Sequence, residues 1–191
     1  MLINKVVIIA IFLFISCNEK GSNNKDFYHI INHHFFQIVD SSAYISSKLI
    51  QVPFQKEEIT NDQKICISID YFYTLTNKME ESISAIVQKL ENKHFQNLIS
   101  KKYSLELAII DLLEIKNIGR FELHPLNEKA KNNCMNFAGK LTLYKPFISS
   151  DLAIIPYSIS RSEKAGYSRI MLLEKINGSW QKNQIIDIER W

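Results

Sequence analysis

The chain predicts an α+β fold, with N-terminal helices packed on a C-terminal antiparallel β-meander of about four to five strands. Two observations carry that expectation. Up to Gly119 the apolar residues recur at steps of three and four, the helical period. Beyond it they gather in short runs rich in β-branched and aromatic residues, which is strand chemistry. Between two of these runs stands Asn177-Gly178, the dipeptide favoured in a two-residue hairpin because both central residues take positive φ. The composition, 46% hydrophobic and 23% charged over 191 residues, is that of an ordinary globular chain. Five glycines in all make a Gly-rich phosphate loop or a dinucleotide fold implausible.

At the front, Lys5 precedes an unbroken apolar run, Val6 to Ile15 (VVIIAIFLFI), of ten residues. A membrane-spanning helix needs roughly 20 such residues. Ten cannot span, but they match the hydrophobic region of a secretory signal. The run ends in Phe14-Ile15-Ser16-Cys17. This resembles the lipobox of bacterial lipoproteins: a bulky apolar residue, a variable one, a small one, then the cysteine. The resemblance covers residues 1–17 and implies a signal peptide over 1–16, cleaved before Cys17. It further implies that the Cys17 thiol carries a diacylglycerol and that the new N-terminus is usually acylated, with palmitate-type chains. Each buried methylene contributes about 0.8 kcal/mol, and stable attachment takes two chains or more. The implied location is the cell envelope. Asn18 stands where some inner-membrane lipoproteins carry Asp, so the outer membrane is favoured, on its periplasmic or surface side. Asn18 to Asp26 (NEKGSNNKD) lacks any apolar residue and reads as a flexible tether. A single domain then spans residues 27–191.

Along that domain, Asp26 to Asp40 places Phe27, Ile31, Phe35 and Ile38 on one helical face, with Asp26 available as N-cap. Ser41 to Phe54 reads as a strand or as more helix, with its Ser, Ile, Tyr and Val content leaning to strand. Thr60 and Gln63 have capping-box spacing. An apolar stripe follows through Ile65, Ile69, Phe72, Met79, Ile83, Val87 and Leu90. It predicts a helix from about Tyr71 to Glu91, while Ile65 to Asp70 (ICISID) also alternates like a strand. His94 to Lys101 reads as a helical turn or two. Ser104 caps a predicted helix over Leu105 to Lys116, closed by Gly119. The expected strands are Arg120–Leu126, Ala138–Phe147, Leu152–Ser160, Tyr167–Ile176 and Trp180–Ile188. Pro156 inside the third of these predicts an edge strand or a bulge.

The C-terminal third carries a second resemblance. Tyr144-Lys145-Pro146-Phe147-Ile148-Ser149-Ser150-Asp151 and the later Leu172-Leu173-Glu174-Lys175-Ile176-Asn177-Gly178-Ser179-Trp180 are similar to the last strands of small uncharacterised bacterial lipoproteins. The hairpin ending in Asn177-Gly178-Ser179-Trp180 is also similar to the end of NTF2-like domains. What this implies is architecture, since such folds host both enzymes and binders.

Charge and motifs narrow the function. The net charge is +3, and removing the leader with Lys5 leaves 22 basic against 20 acidic residues, so nucleic acid is not the expected partner. His29 and His33 stand one helical turn apart, and two imidazoles at that spacing can share a metal ion. The Glu that would make HExxH catalytic is missing, and a solvated polar helix face accounts for the pair. His34 lies nearer the apolar stripe and reads as a partly buried histidine. His94 and His124 stand alone. There is no GxSxG elbow and no SxxK. The adjacent acids Glu57-Glu58 and Glu80-Glu81 diverge on a helix. Tyr144, Tyr157, Tyr167 and Trp180 can line an aromatic pocket or fill the core. Ser160 to Gly166 is a polar loop. Outside the cytoplasm Cys66 and Cys134 can form one bridge or remain two thiols. The sequence thus points to a lipid-anchored envelope protein, non-enzymatic, binding a protein or small ligand, with no cofactor expected. The alternative is an envelope hydrolase or metal-dependent enzyme built on the helix histidines.

Overall fold

A computed structural model describes residues 19–39, 65–72, 75–100, 110–125 and 137–191. In chain order these form α1 (Glu19–Ile38), β1 (Ile65–Phe72), α2 (Asn77–Gln88) and α3 (Lys93–Ser100). A 3₁₀ turn, Leu112–Glu114, leads into β2 (Phe121–Pro125), β3 (Phe137–Tyr144) and β4 (Phe147–Ile148). The chain closes with β5 (Leu152–Ser162), β6 (Ala165–Ile176) and β7 (Ser179–Arg190). The strands make one sheet in the order β2-β1-β3-β5-β6-β7, with β4 also on β5. The α+β class holds, and β3 to β7 form the expected antiparallel meander.

The sheet is larger than expected, seven strands rather than four to five: Phe147–Ile148 separates from β3 as its own strand, and Ile65–Phe72 is a strand. It pairs in parallel with β2 on one side and β3 on the other. Ile65, Ile67 and Ile69, two apart, all go to the core, so the alternation of ICISID, and not its three-and-four spacing, is what packing uses. The helix expected from Tyr71 therefore starts at Asn77. Thr76 takes an extended conformation there and its hydroxyl accepts the Met79 amide at 3.3 Å.

Both faces of the sheet are covered. On one, Phe27, Ile30, Ile31, Phe35 and Ile38 of α1 meet Leu141, Leu143, Ile155, Tyr157, Met171 and Leu173. On the other, Met79, Ile83 and Val87 of α2 and Phe95 and Leu98 of α3 meet Phe147, Ile154, Ile170 and Leu172. A strand buried on both sides needs no polar alternation, which is why LAIIPYSI and IMLL run apolar. Pro156 is neither at an edge nor in a bulge, contrary to expectation. Pairing with β3 ends at Leu143–Tyr157 and pairing with β4 begins at Phe147–Ile154. The proline thus sits at the break between them, where no ladder bond is lost.

The α1 stripe of Phe27, Ile31, Phe35 and Ile38 is fully buried as expected. The tether is different. Helix α1 begins at Glu19, so Asp26 lies inside the helix and caps nothing. The helix expected over Leu105–Lys116 is also revised. Within its described part only Leu112–Glu114 is helical, and Ile115 is extended and buried. The expectations for Ser41–Phe54, for the Thr60 and Ser104 caps, and for Glu57 and Glu58 fall outside the described residues, as do Cys17 and Cys134. Among the described residues no helix is long and apolar enough to cross a membrane.

Candidate functional site

The hairpin at Asn177-Gly178 forms as expected, with φ of 51° and 79°. Its register sets Lys175 opposite Trp180. Both side chains converge on Asp26, which α1 brings into the protein interior. Lys175 Nζ donates to Asp26 Oδ1 at 2.8 Å and Trp180 Nε1 donates to the same oxygen at 3.0 Å. The Lys175 ammonium also lies 5.1 Å from the Trp180 ring centroid, within cation–π range. Two turns further along α1, His34 is buried. Its Nε2 is 3.3 Å from the Trp180 carbonyl oxygen, and its Nδ1 is 3.3 Å from Gln37 Oε1. Burial lowers the His34 pKa below 6.5. Bonds to Trp180 and Gln37 pull it up, while His33 and Lys182 push it down. Neutral His34 and ion-paired Asp26 together fasten the last hairpin to the first helix. These contacts bind helix to hairpin, which is the pattern of a structural lock.

His29 and His33, the candidate metal ligands, lie on the exposed side of α1 with ring centroids 6.4 Å apart. The helix does bring them together. Among the described residues, however, no group of three or more His, Cys, Asp or Glu is placed to hold a metal ion. His94 is exposed, its amide donating to Asn92 Oδ1. His124 sits in β2 beside Glu122, at 3.4 Å.

The four aromatics do not line one pocket. Tyr157 and Trp180 are buried with α1 on one face, whereas Tyr144 packs with the α2 cluster on the other. Alternation along the strands separates them. Tyr144 instead borders a 230 Å³ cavity with Thr76, Ser82, Ser168 and Trp191. The polar loop at Ser160–Gly166 is a tight turn centred on Glu163 and Lys164. On β6 and β7, Arg169 and Arg190 both donate to Asp187. The bond from Arg169 holds the Asp187 carboxyl below its ordinary range against the effect of burial, and Arg190 adds to it.

A 370 Å³ groove opens beside the outer strand β2, lined by Leu112, Leu113, Ile115, Ile118, Phe121 and Leu123. Arg120 and Glu122 also line it, and two apolar side chains at the site are accessible: Leu113 is 85% exposed, and Phe36 on α1 is 46% exposed. The loop beneath is held open by α1. The Asp111 amide donates to the Tyr28 hydroxyl at 2.9 Å, and Asn32 Nδ2 donates to the Glu114 carbonyl at 3.0 Å. The Lys116 amide donates to Asn32 Oδ1. Gly119, at φ 58°, lets the chain turn under Phe36, whose ring would lie 2.9 Å from a Cβ there. The groove lies along chain that is helical only over Leu112–Glu114, where the spacing predicts a regular helix.

No family model matches the chain, and no curated protein or solved structure matches it. What this chain does must be argued from its own residues. Cys66 supplies one such observation: it is disulfide-bonded.

Proposed function

We propose that this protein is a lipid-anchored component of a bacterial cell envelope, held by acylated Cys17, that binds a partner without catalysing a reaction. The observation that carries the reading is Phe14-Ile15-Ser16-Cys17 closing a ten-residue apolar run. The Cys66 disulfide supports it independently, because such bonds persist in the periplasm and at cell surfaces and are rare in the cytosol. The binding half rests on the groove beside β2, where a large apolar side chain, Leu113, stands almost fully in solvent.

The anchor is tested by Cys17→Ser. The variant should leave the membrane fraction or accumulate as unprocessed precursor, read by fractionation and intact mass. Unchanged fractionation together with an unchanged mature mass would refute the anchor. For the groove, a photocrosslinking residue at Leu113 should yield a discrete adduct in intact cells, and the same residue at Glu163 should not.

A further inference from the structure

The lipid-anchor reading leaves open how the domain sits on its membrane, and the direction of α1 decides it. Cys17 stands two residues before Glu19, where α1 begins, and the helix runs unbroken to Ile38. Two residues of chain span no more than about 7 Å. Seven residues carry the helix from Glu19 to Asp26, about 10 Å at 1.5 Å each. There Asp26 holds Lys175 and Trp180, on either side of the β6–β7 turn. Further along, Phe27 meets Tyr71 and Phe35 meets Phe121, the latter level with Ile65 at the start of β1. Helix α1 therefore runs antiparallel to β1. Its N-terminal end lies with the β6–β7 turn, and its C-terminal end lies at the other end of the sheet.

We infer that the β6–β7 turn, with Ile176 at its tip, rests on the lipid bilayer to which Cys17 is attached. This inference depends on the anchor proposed above. Ile176 is 43% exposed and is followed by exposed Asn177 and Gly178. A single exposed isoleucine means little by itself, but its place at the anchored end supplies the apolar surface it faces. Lys25, next to Asp26, and Lys182, four residues beyond Gly178, are both exposed. The β4–β5 turn is at the same end, since the Lys175 amide donates to the Asp151 carbonyl at 2.7 Å. The Glu163-Lys164 turn is the opposite pole. Along β6, from Ala165 to Ile176, it lies about 37 Å away at roughly 3.4 Å per residue. That pole, and the far end of the groove beside β2, would face away from the bilayer.

The test places a fluorophore on Ser179→Cys or on Lys164→Cys in the full-length, lipidated protein. The protein is reconstituted in vesicles of phosphatidylethanolamine and phosphatidylglycerol containing spin-labelled lipid. Quenching should be several-fold stronger at 179 than at 164, and Ile176→Asp should weaken it at 179 while leaving vesicle attachment intact. Equal quenching at both positions, or stronger quenching at 164, would overturn the orientation. Intact mass of the same samples separates the two proposals. Absence of lipid on Cys17 overturns the anchor and the orientation together, whereas lipid present with equal quenching overturns the orientation alone.

Discussion

Asp26 shows how one residue's role turns on where its helix starts. Its carboxylate accepts from an ammonium and an indole at the same oxygen, and charge-assisted hydrogen bonds of this kind contribute about 1.5–3 kcal/mol. Asp26→Ala should lower stability by an amount in that range, measured by urea denaturation. Asp26→Asn, which keeps an acceptor for Trp180, should lose less. His34 makes the opposite prediction about pH. Its pKa is lowered in the folded chain from 6.5, so the unfolded chain takes up the proton first. The stability contribution of neutral His34 is complete above about pH 6.5 and is lost as pH falls from there to the lowered folded value. His33 and Lys182, the charges facing it, both oppose protonation. Denaturation midpoints should fall between pH 6.5 and acid, and the fall should flatten in His34→Gln.

At the scale of elements, the position of Cys66 in the sheet limits which cysteine can join it. Cys66 is the second residue of β1, paired with Glu122 and so one position past Phe121, whose ring meets Phe35 on α1. Glu19 stands at the other end of that helix, about 24 Å away at 1.5 Å per residue. Cys17, two residues further, cannot approach the 7 Å between Cα atoms that a bridge needs. Cys134 precedes Phe137, the register partner of Cys66, by three residues, about 10 Å of chain at most. Peptide mapping without reduction should therefore find Cys66 joined to Cys134. A Cys17–Cys66 peptide would contradict both this pairing and the lipid anchor. The elements themselves were legible to different degrees. The α1 stripe, the thirteen residues from Trp180 back to Ser168 and the Asn177-Gly178 turn could be read directly, because periodicity and turn chemistry are local. The segment around Leu112 could not. Tyr28 and Asn32, more than eighty positions away, take its backbone groups, and Ile115 is drawn into the core. Tertiary contacts of that kind override helix propensity.

For the whole molecule, the sequence determined the class of fold, the order of its helical and strand halves, and the apolar run that stops short of Cys17. Those are properties of spacing and composition along the chain. The tertiary structure decided what no local pattern encodes: the parallel placement of β1 between β2 and β3, the burial of Asp26 beneath the last hairpin, and the groove beside β2. Each depends on partners distant in sequence, so its energy appears only when the elements pack. The same reason separates the two parts of the functional reading. The proposed anchor rests on seventeen consecutive residues, whereas the proposed orientation rests on how α1 lies against the sheet.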